Sequence, residues 1–208
     1  RPPRSTLFPY TTLFRSQGAF GIVSFDEDLL KCGRGATNLI YWRSGRIHRI
    51  VNSTLAAETQ SLSRGLSELA WTITVFNDLT TPNFDLREWQ QAARSQRLHA
   101  LVKDNTEEDL KKSLCVVDAK SLFDHLAKDT IGVTEDKRTA IEMQVIRQSM
   151  CETGAAIRWV PHPKMVMDAL TKRLGNQVPL KEMLGSGILE LTDTEGKRNL
   201  DPSVYLSM

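Results

Sequence analysis

Residues 114–122 read LCVVDAKSL, and this stretch decides the fold class. Leu114–Val117 is a short apolar run that predicts a buried strand, and the run ends abruptly at Asp118. Two helical patterns follow and separate this strand from the next apolar run, Ala155–Val160. Strands separated by helical crossovers pair in parallel, so the sequence predicts an α/β layer fold.

Two more strands and a long helix precede this stretch. Gln17–Phe25 is a short apolar segment, and Asn38–Arg43 is rich in the β-branched and aromatic residues that favour strands. Their closeness in sequence predicts an antiparallel pair. Ser53 is a typical N-cap, and the helix predicted from Thr54 to about Leu79 has apolar residues at helical spacing. These are Leu55, Leu62, Leu66, Leu69, Ile73 and Phe76.

The chain after the second apolar run contains a loop and one further helix. Residues 161–163 (PHP) predict a rigid loop, and Met165–Leu174 predicts a helix. The segment from Gln177 onwards is loosely patterned, with a strand predicted at Ile188–Leu191. The other predicted helices are Asp85–Val102, Thr106–Leu110, Ser121–Ala127 and Glu135–Cys151.

The N-terminal segment differs in character from the rest. Residues 1–16 read RPPRSTLFPYTTLFRS and contain no acidic residue. One choice of codons for the whole segment resembles a common short-read sequencing adapter, so we interpret it as an artefact and leave it out of the fold. A transit peptide or a disordered arm is the alternative. We assign residues 17–174 to one domain and residues 175–208 to a C-terminal extension of unknown role.

The composition excludes several classes of protein. Of the 208 residues, 40% are hydrophobic and 25% are charged, which is ordinary for a globular domain. The sequence has no apolar run of the length that a membrane span needs, about 20 residues. The cysteines are far apart and form no CxxC motif, which argues against a disulfide scaffold or a zinc ribbon. They are Cys32, Cys115 and Cys151.

Three carboxylates stand beside apolar residues at the ends of predicted elements. Glu58 lies in the first turns of the long helix, on its apolar face, and Asp118 follows a strand at the end where α/β sheets bind ligands. Asp168 lies among apolar residues in the first turn of its helix. Each residue alone is also explained as a helix-dipole or N-cap residue. Together they predict one cation site, whose oxygen ligands favour Mg²⁺ or Mn²⁺ over zinc.

Four short motifs carry a resemblance to a known family. They are STLAAET at residues 53–59, VVDAKSL at residues 116–122, RWVPH at residues 158–162 and DALTK at residues 168–172. In this order they resemble the ribonuclease H domain of copia-type retrotransposon polyproteins, and the resemblance covers roughly residues 17–174. Each motif is weak by itself, whereas four in register are specific.

The resemblance implies a fold, an activity and a set of site residues. It implies a ribonuclease H-like mixed β-sheet flanked by helices, and hydrolysis of the RNA strand of RNA–DNA hybrids with two Mg²⁺ or Mn²⁺ ions. Glu58, Asp118 and Asp168 would hold the metal ions, and His162 would assist proton transfer or product release. A loop histidine between two prolines is the alternative for His162. The implied partners are the hybrid and the reverse transcriptase domain of the same polyprotein, and the implied location is intracellular, in a cytoplasmic particle or the nucleus.

The sequence departs from the family pattern at the first strand. The family has a fourth carboxylate there, an aspartate, and the matching position falls within residues 1–16. No Asp or Glu occurs before Asp26. We therefore expect the first strand and one metal ligand to be missing, and the chain as given to bind metal poorly and to cleave slowly or not at all.

Two other functions compete with this interpretation. A decayed copy would keep the fold as a catalytically dead module that binds nucleic acid. An integrase or transposase would use two strand aspartates followed by a late helix glutamate. Here the glutamate, Glu58, comes first and lies on an early helix, which argues against that class.

A basic segment precedes Glu58. No acidic residue occurs between Leu29 and Ala57, and the Lys and Arg residues there suit contacts with phosphate, although a solvated hairpin is the alternative. Tyr41 and Trp42 would stack on sugars or bases, with at least one of them expected in the core. The predicted nucleic-acid contacts are Arg43, Arg46, Arg49, Lys120 and Lys172. The last two lie beside the proposed metal carboxylates, where they touch phosphate or balance charge.

Overall fold

The computed structural model describes residues 17–47, 51, 53–91, 113–127, 136–172 and 174–191. Helices and strands of both pairing senses are present, so the mixed α/β class is confirmed. In chain order the elements are β1 (Gln17–Phe25), α1 (Asp28–Cys32), β2 (Arg34–Arg46), α2 (Thr54–Thr80), α3 (86–91), β3 (Ser113–Val117), α4 (Lys120–Leu126), α5 (Lys137–Thr153), β4 (Ala155–Trp159), a 3₁₀ turn (His162–Lys164), α6 (Asp168–Thr171), α7 (Val178–Ser186) and β5 (Ile188–Glu190).

β1 and β2 form an antiparallel ribbon, as their closeness in sequence predicts. The pairing runs from Gln17 opposite Arg46 to Phe25 opposite Thr37, with one irregularity in its register. Because β2 has a partner along this length, it is longer than the strand that the sequence predicts. The connection between the two strands contains α1, and Gly33 ends this helix in the left-handed conformation, with φ 73°.

β3 and β4 form a parallel pair, as the helical crossover between them predicts. Cys115 and Val117 of β3 lie in a first core, which α2, α4 and α5 complete. The alternate residues, Leu114 and Val116, pack against a second core, as does Val23 of β1. The remaining buried members of the first core are Leu66, Leu122, Leu126, Met143, Ile146, Met150 and Ile157.

The long helix α2 contacts both sets of strands. The Ser61 hydroxyl donates to the Ala19 carbonyl of β1 at 3.2 Å, whereas Leu66 lies in the first core with β3. Within the described ranges the strands form two sheets, ordered β1-β2-β5 and β3-β4. None of the helices described here, α2 included, is both long enough and apolar enough to cross a membrane.

The segment after residue 174 contributes a helix and a strand to the same structure. The loose sequence pattern there does not predict α7, although its ends carry local signals. Asn176 Oδ1 accepts the Val178 amide at 3.1 Å, and Gly187 ends the helix with φ 65°. β5 then pairs antiparallel with β2. The buried residues of the second core are Leu29, Val160, Met183, Leu189 and Leu191.

Several predicted elements near the site have different bounds in the structure. In the predicted loop at residues 161–163, Pro161 precedes a 3₁₀ turn that begins at His162. The helix predicted over Met165–Leu174 is only the short α6, because Lys172 adopts an extended backbone conformation that ends it. Of the helix predicted over Asp85–Val102, residues 86–91 are helical. Asp85 precedes the helix, whereas residues 92–102 and the helix predicted over Thr106–Leu110 lie outside the described residues.

Candidate active site

Asp118 lies directly after β3, at the edge where the parallel strands end. Because β3 and β4 are parallel, the residues that follow them lie together, and the Val160 amide donates to the Val117 carbonyl at 2.9 Å. The Trp159 indole donates to the Asp118 carbonyl at 3.0 Å, which fixes the backbone of this aspartate. Its carboxylate remains partly accessible, with 21% of the side chain exposed.

Asp168 begins α6 and is almost fully buried, with 6% of its side chain exposed. One carboxylate oxygen accepts the Asn176 amide at 3.1 Å, and the other accepts the Lys172 ammonium at 3.0 Å and the Thr171 hydroxyl at 3.2 Å. Burial raises the pKa of Asp168. The hydrogen bonds from Lys172 and Asn176, with the charges of Lys172 and His162, outweigh burial and hold that pKa below its ordinary value. Asp168 is therefore ionised at neutral pH.

Contacts with the ribbon hold α6 in place. The Leu170 carbonyl accepts the Ser44 hydroxyl at 2.6 Å and the Gln17 side-chain amide at 3.0 Å. Gly21 of β1 lies so close to Met167 that a Cβ atom would come within 2.6 Å of the methionine sulfur. No local pattern in the sequence singles out Gln17 or Ser44. Gly21, a glycine within a strand, is the one sequence signal that another element packs closely against β1.

His162 lies in the turn after β4 and bridges two carboxylates. Its Nδ1 lies 2.6 Å from Asp118 Oδ2, and its Nε2 lies 3.7 Å from Asp168 Oδ1. About half of the ring is exposed, at 54% of the side chain. The imidazole therefore contacts both acids and solvent, which is the placement that a group moving protons requires.

Glu58 lies in the first turns of α2. Ser53 caps this helix by accepting the Ala56 amide at 3.1 Å. The sequence places Glu58 on the apolar face, but the structure exposes its side chain, while the neighbouring Ala57 and Thr59 are buried. Ala56 and Ala57 pack with Ile47 and Val51 in a third core, so α2 presents these small side chains to the protein at this turn.

The charge environment of Glu58 connects it to the other site residues. Partial removal of water from its carboxyl by the surrounding protein, together with the negative charges of Asp118 and Asp168, raises the pKa of Glu58 above its ordinary value. The charges of Lys172 and His162 act in the opposite direction. Residues from four separate segments of the chain therefore lie within electrostatic range of one another.

The carboxylates suit a hard divalent cation by their chemistry, but they do not form a ready cage for one. Oxygen ligands are those that Mg²⁺ and Mn²⁺ prefer, and Glu58, Asp118 and Asp168 are the residues that would hold such an ion. Within the described part of the chain, no three His, Cys, Asp or Glu side chains are grouped so as to hold one metal ion. His162 and Lys172 instead contact the oxygens of Asp118 and Asp168.

The predicted nucleic-acid contacts are spread over the ribbon and the site. Arg43 is exposed, with a guanidinium nitrogen 3.8 Å from Glu68, and Arg46 is exposed at the end of β2. Lys120 lies 5.8 Å from the centre of the Trp159 ring. Lys172 contacts Asp168 in the carboxylate cluster, the group formed by Glu58, Asp118, Asp168 and His162. Arg49 lies outside the described residues.

The two aromatic residues of β2 differ from expectation. Tyr41 is 38% exposed and Trp42 is 54% exposed, so neither is buried in the core. Tyr41 contacts Phe20 across the strand pair, with ring centroids 6.1 Å apart. The outer half of β2 has little covering it among the described residues, which leaves both rings accessible.

No protein-family model, curated protein or solved structure matches the chain. The chemistry of the site is therefore argued from its own residues.

Proposed function

We propose that the chain is a metal-dependent nuclease of the ribonuclease H type, which hydrolyses the RNA strand of RNA–DNA hybrids during reverse transcription of a copia-type retrotransposon. One observation carries the proposal: three acids and a histidine from four separate segments converge at the carboxyl end of β3. These residues are Glu58, Asp118, Asp168 and His162. Phosphodiester hydrolysis with divalent ions uses a group of oxygen ligands of this kind.

Each site residue has a distinct task in this proposal. When bound, divalent ions polarise the phosphate and lower the pKa of an attacking water. The Trp159 indole holds the backbone of Asp118, and the carboxylate of Asp168 accepts the Asn176 amide, so both acids occupy fixed positions. Glu58 lies exposed beside them. His162, in contact with Asp118 and with solvent, would accept or deliver a proton at its imidazole.

The substrate would lie along the basic side of the ribbon. Arg43 and Arg46 are exposed and would contact phosphates, while Tyr41 and Trp42 offer ring faces to sugars or bases. A hybrid held in this way is recognised by its shape and its 2′-hydroxyl groups rather than by its base sequence. The reverse transcriptase domain of the same polyprotein would supply this hybrid.

The two-sheet arrangement is compatible with a ribonuclease H-like fold that needs one more strand. β1 and β3 are not hydrogen-bonded to each other in the described residues, yet Val23 of β1 and Val116 of β3 pack against the same core. We propose that an additional strand, bearing a fourth carboxylate, joins them into one mixed sheet. The site in the present chain would then be one ligand short, which predicts weak metal binding and slow cleavage.

A catalytically dead module that binds nucleic acid is the second candidate. The observation that favours it is the engagement of Asp118 by His162 and of Asp168 by Lys172. Carboxylates that are engaged in this way keep their positions without a metal ion. Such a protein would still bind hybrids through Arg43 and Arg46.

The test compares the chain as given with a version in which residues 1–16 are replaced by an apolar strand carrying one aspartate. Both receive an end-labelled RNA–DNA hybrid, or a DNA duplex of the same sequence, in the presence of Mn²⁺. We expect the version with the added strand to cut the RNA of the hybrid, to leave 3′-hydroxyl and 5′-phosphate ends, and to spare the duplex. Asp118→Asn in that version should abolish cutting without changing its circular dichroism spectrum.

The outcomes separate the candidates. Cutting of the DNA duplex would favour the integrase class instead. If the version with the added strand folds and binds the hybrid but does not cut it, the dead module is favoured. A folded protein that neither binds nor cuts the hybrid would contradict both candidates.

A further inference from the structure

Lys172 places a positive charge inside the carboxylate cluster. Its ammonium nitrogen lies 3.0 Å from Asp168 Oδ1 and 3.5 Å from His162 Nε2. It is also one of the charges that act on Glu58. A single flexible cation therefore contacts one of the three acids that would hold a metal ion and acts on a second through its charge.

The contacts of Asp168 do not depend on Lys172. The Asn176 backbone amide binds the same carboxylate, and it belongs to the segment that follows α6. The Lys172 side chain, by contrast, is 61% exposed, so its ammonium can leave the cluster for water at little cost. The lysine is thus a replaceable partner in a carboxylate site that is otherwise held in place.

The position of the lysine follows from its spacing to Asp168. Lys172 comes four residues after Asp168, a spacing at which two side chains meet on one face of a helical turn. The helix α6 stops at Thr171 and Lys172 has an extended backbone, yet its ammonium still contacts the Asp168 carboxylate.

We propose that Lys172 is a built-in counter-ion that competes with divalent cations for the carboxylate cluster, and this inference rests on the proposed metal-dependent function. A divalent cation and an ammonium group within a few ångströms repel each other, and both are attracted to the same oxygens. Metal binding therefore requires Lys172 to leave. The lysine offsets part of the negative charge of the cluster in the free protein and raises the metal concentration at which the site fills.

Mn²⁺ binding to the full chain tests this inference without any measurement of activity. Free Mn²⁺ is measured by electron paramagnetic resonance during titration, for the unsubstituted chain and for Lys172→Ala, Lys172→Gln and Lys172→Arg. We expect Lys172→Ala and Lys172→Gln to bind Mn²⁺ about tenfold more tightly, equivalent to about 1.4 kcal/mol. Lys172→Arg keeps the charge and should bind like the unsubstituted chain.

Two controls locate the effect. Lys181→Ala removes an exposed lysine of α7 that is not among the charges acting on Glu58 or Asp168, and it should leave the Mn²⁺ affinity unchanged. Asp118→Asn combined with Lys172→Ala should lose the gain, because the gained affinity belongs to the cluster. Thermal unfolding of each variant checks that the fold is kept.

The possible results distinguish the inference from the function on which it rests. If Lys172→Ala binds Mn²⁺ no more tightly than the unsubstituted chain does, the role of Lys172 is overturned. A metal-dependent function is left standing in that case, provided that Asp118→Asn alone, measured in the same titration, loses the binding. Absence of Mn²⁺ binding in the unsubstituted chain and in every Lys172 variant would overturn the role of Lys172, whereas the proposed function would then be decided by the version that carries the added strand. If Lys181→Ala also binds Mn²⁺ more tightly, the gain in affinity comes from the lower net positive charge of the protein, and the specific role of Lys172 is overturned.

Discussion

The parallel pair β3–β4 and the antiparallel ribbon β1–β2 are covered in different ways. Helices α2, α4 and α5 enclose one side of the parallel pair, and Met143 and Ile146 of this core have no exposed surface, at 0% each. In the outer half of the ribbon, Ile40 and Trp42 are each 54% exposed. The comparison predicts that most of the stability comes from the parallel pair and its helices, while the outer ribbon is left accessible.

The candidate site lies where these two regions meet. Asp118 comes from the end of β3, and Asp168 comes from α6, which the ribbon holds through the Leu170 carbonyl. Glu58 comes from α2, the helix that contacts both regions. The geometry of the site therefore depends on both regions at once, although only one of them is well covered.

The largest effect is expected from a cavity in the core of the parallel pair. Ile146→Ala should lower the free energy of unfolding by about 2–5 kcal/mol, because a fully buried side chain loses its contacts and leaves a void. Ile40→Ala removes the same atoms from the exposed ribbon and should change stability by about 0.5 kcal/mol or less. Urea unfolding measures both changes in free energy. Similar losses for the two variants would mean that the outer ribbon contributes as much to stability as the core does.

A smaller effect on stability is expected at Asp168, where the ribbon and the parallel pair meet, and this effect depends on pH. Asp168→Asn should cost about 1.5–3 kcal/mol at neutral pH, because the ionised carboxylate accepts several hydrogen bonds in the fold. The pKa of Asp168 is lowered in the folded protein, so its contribution is complete above the ordinary aspartate value of about 3.9. It disappears as the pH falls through the lower folded value.

The measurement is urea unfolding of both proteins over a series of pH values. The difference between the unsubstituted chain and Asp168→Asn should be constant near neutrality and should shrink towards strongly acidic pH. Asp78→Asn, at an exposed position of α2, is the matched control and should show little difference at any pH. A gap between the chain and Asp168→Asn that widens on acidification would contradict the lowered pKa.

The smallest effect in free energy is expected on the ribbon, and it concerns binding. Arg43→Ala with Arg46→Ala should weaken binding to an RNA–DNA hybrid about tenfold, or about 1.4 kcal/mol. It should also reduce the dependence of affinity on salt by about one unit of slope for each lost phosphate contact. Stability should not change, because both side chains are exposed.

Fluorescence anisotropy at several salt concentrations measures this prediction. Lys137→Ala with Lys181→Ala removes the same amount of charge from α5 and α7 and serves as the control. Equal losses of affinity in the two double variants would mean that the ribbon has no special place in binding. A loss confined to the arginine variant would sharpen the contrast between a stabilising core and a binding ribbon.

Much of the fold was readable from local sequence patterns. Gln17–Phe25 and the apolar run that becomes β3 are strands, and the helix predicted from Thr54 ends within a residue of the observed end at Thr80. These elements follow from apolar periodicity and caps, which are properties of neighbouring residues. Local patterns singled out Glu58, Asp118 and Asp168, and the family resemblance added His162; the structure places the four within electrostatic range of one another.

The tertiary structure alone decided what neutralises the carboxylates. Asp168 is stabilised by the Asn176 amide and by Lys172, and α6 is fixed by Gln17 and Ser44 from the far end of the chain. The same holds for the pairing of β5 with β2 and for the exposure of Glu58. Hydrogen bonds and burial of this kind depend on how distant segments pack, and residues far apart in sequence carry no local signal of their contact.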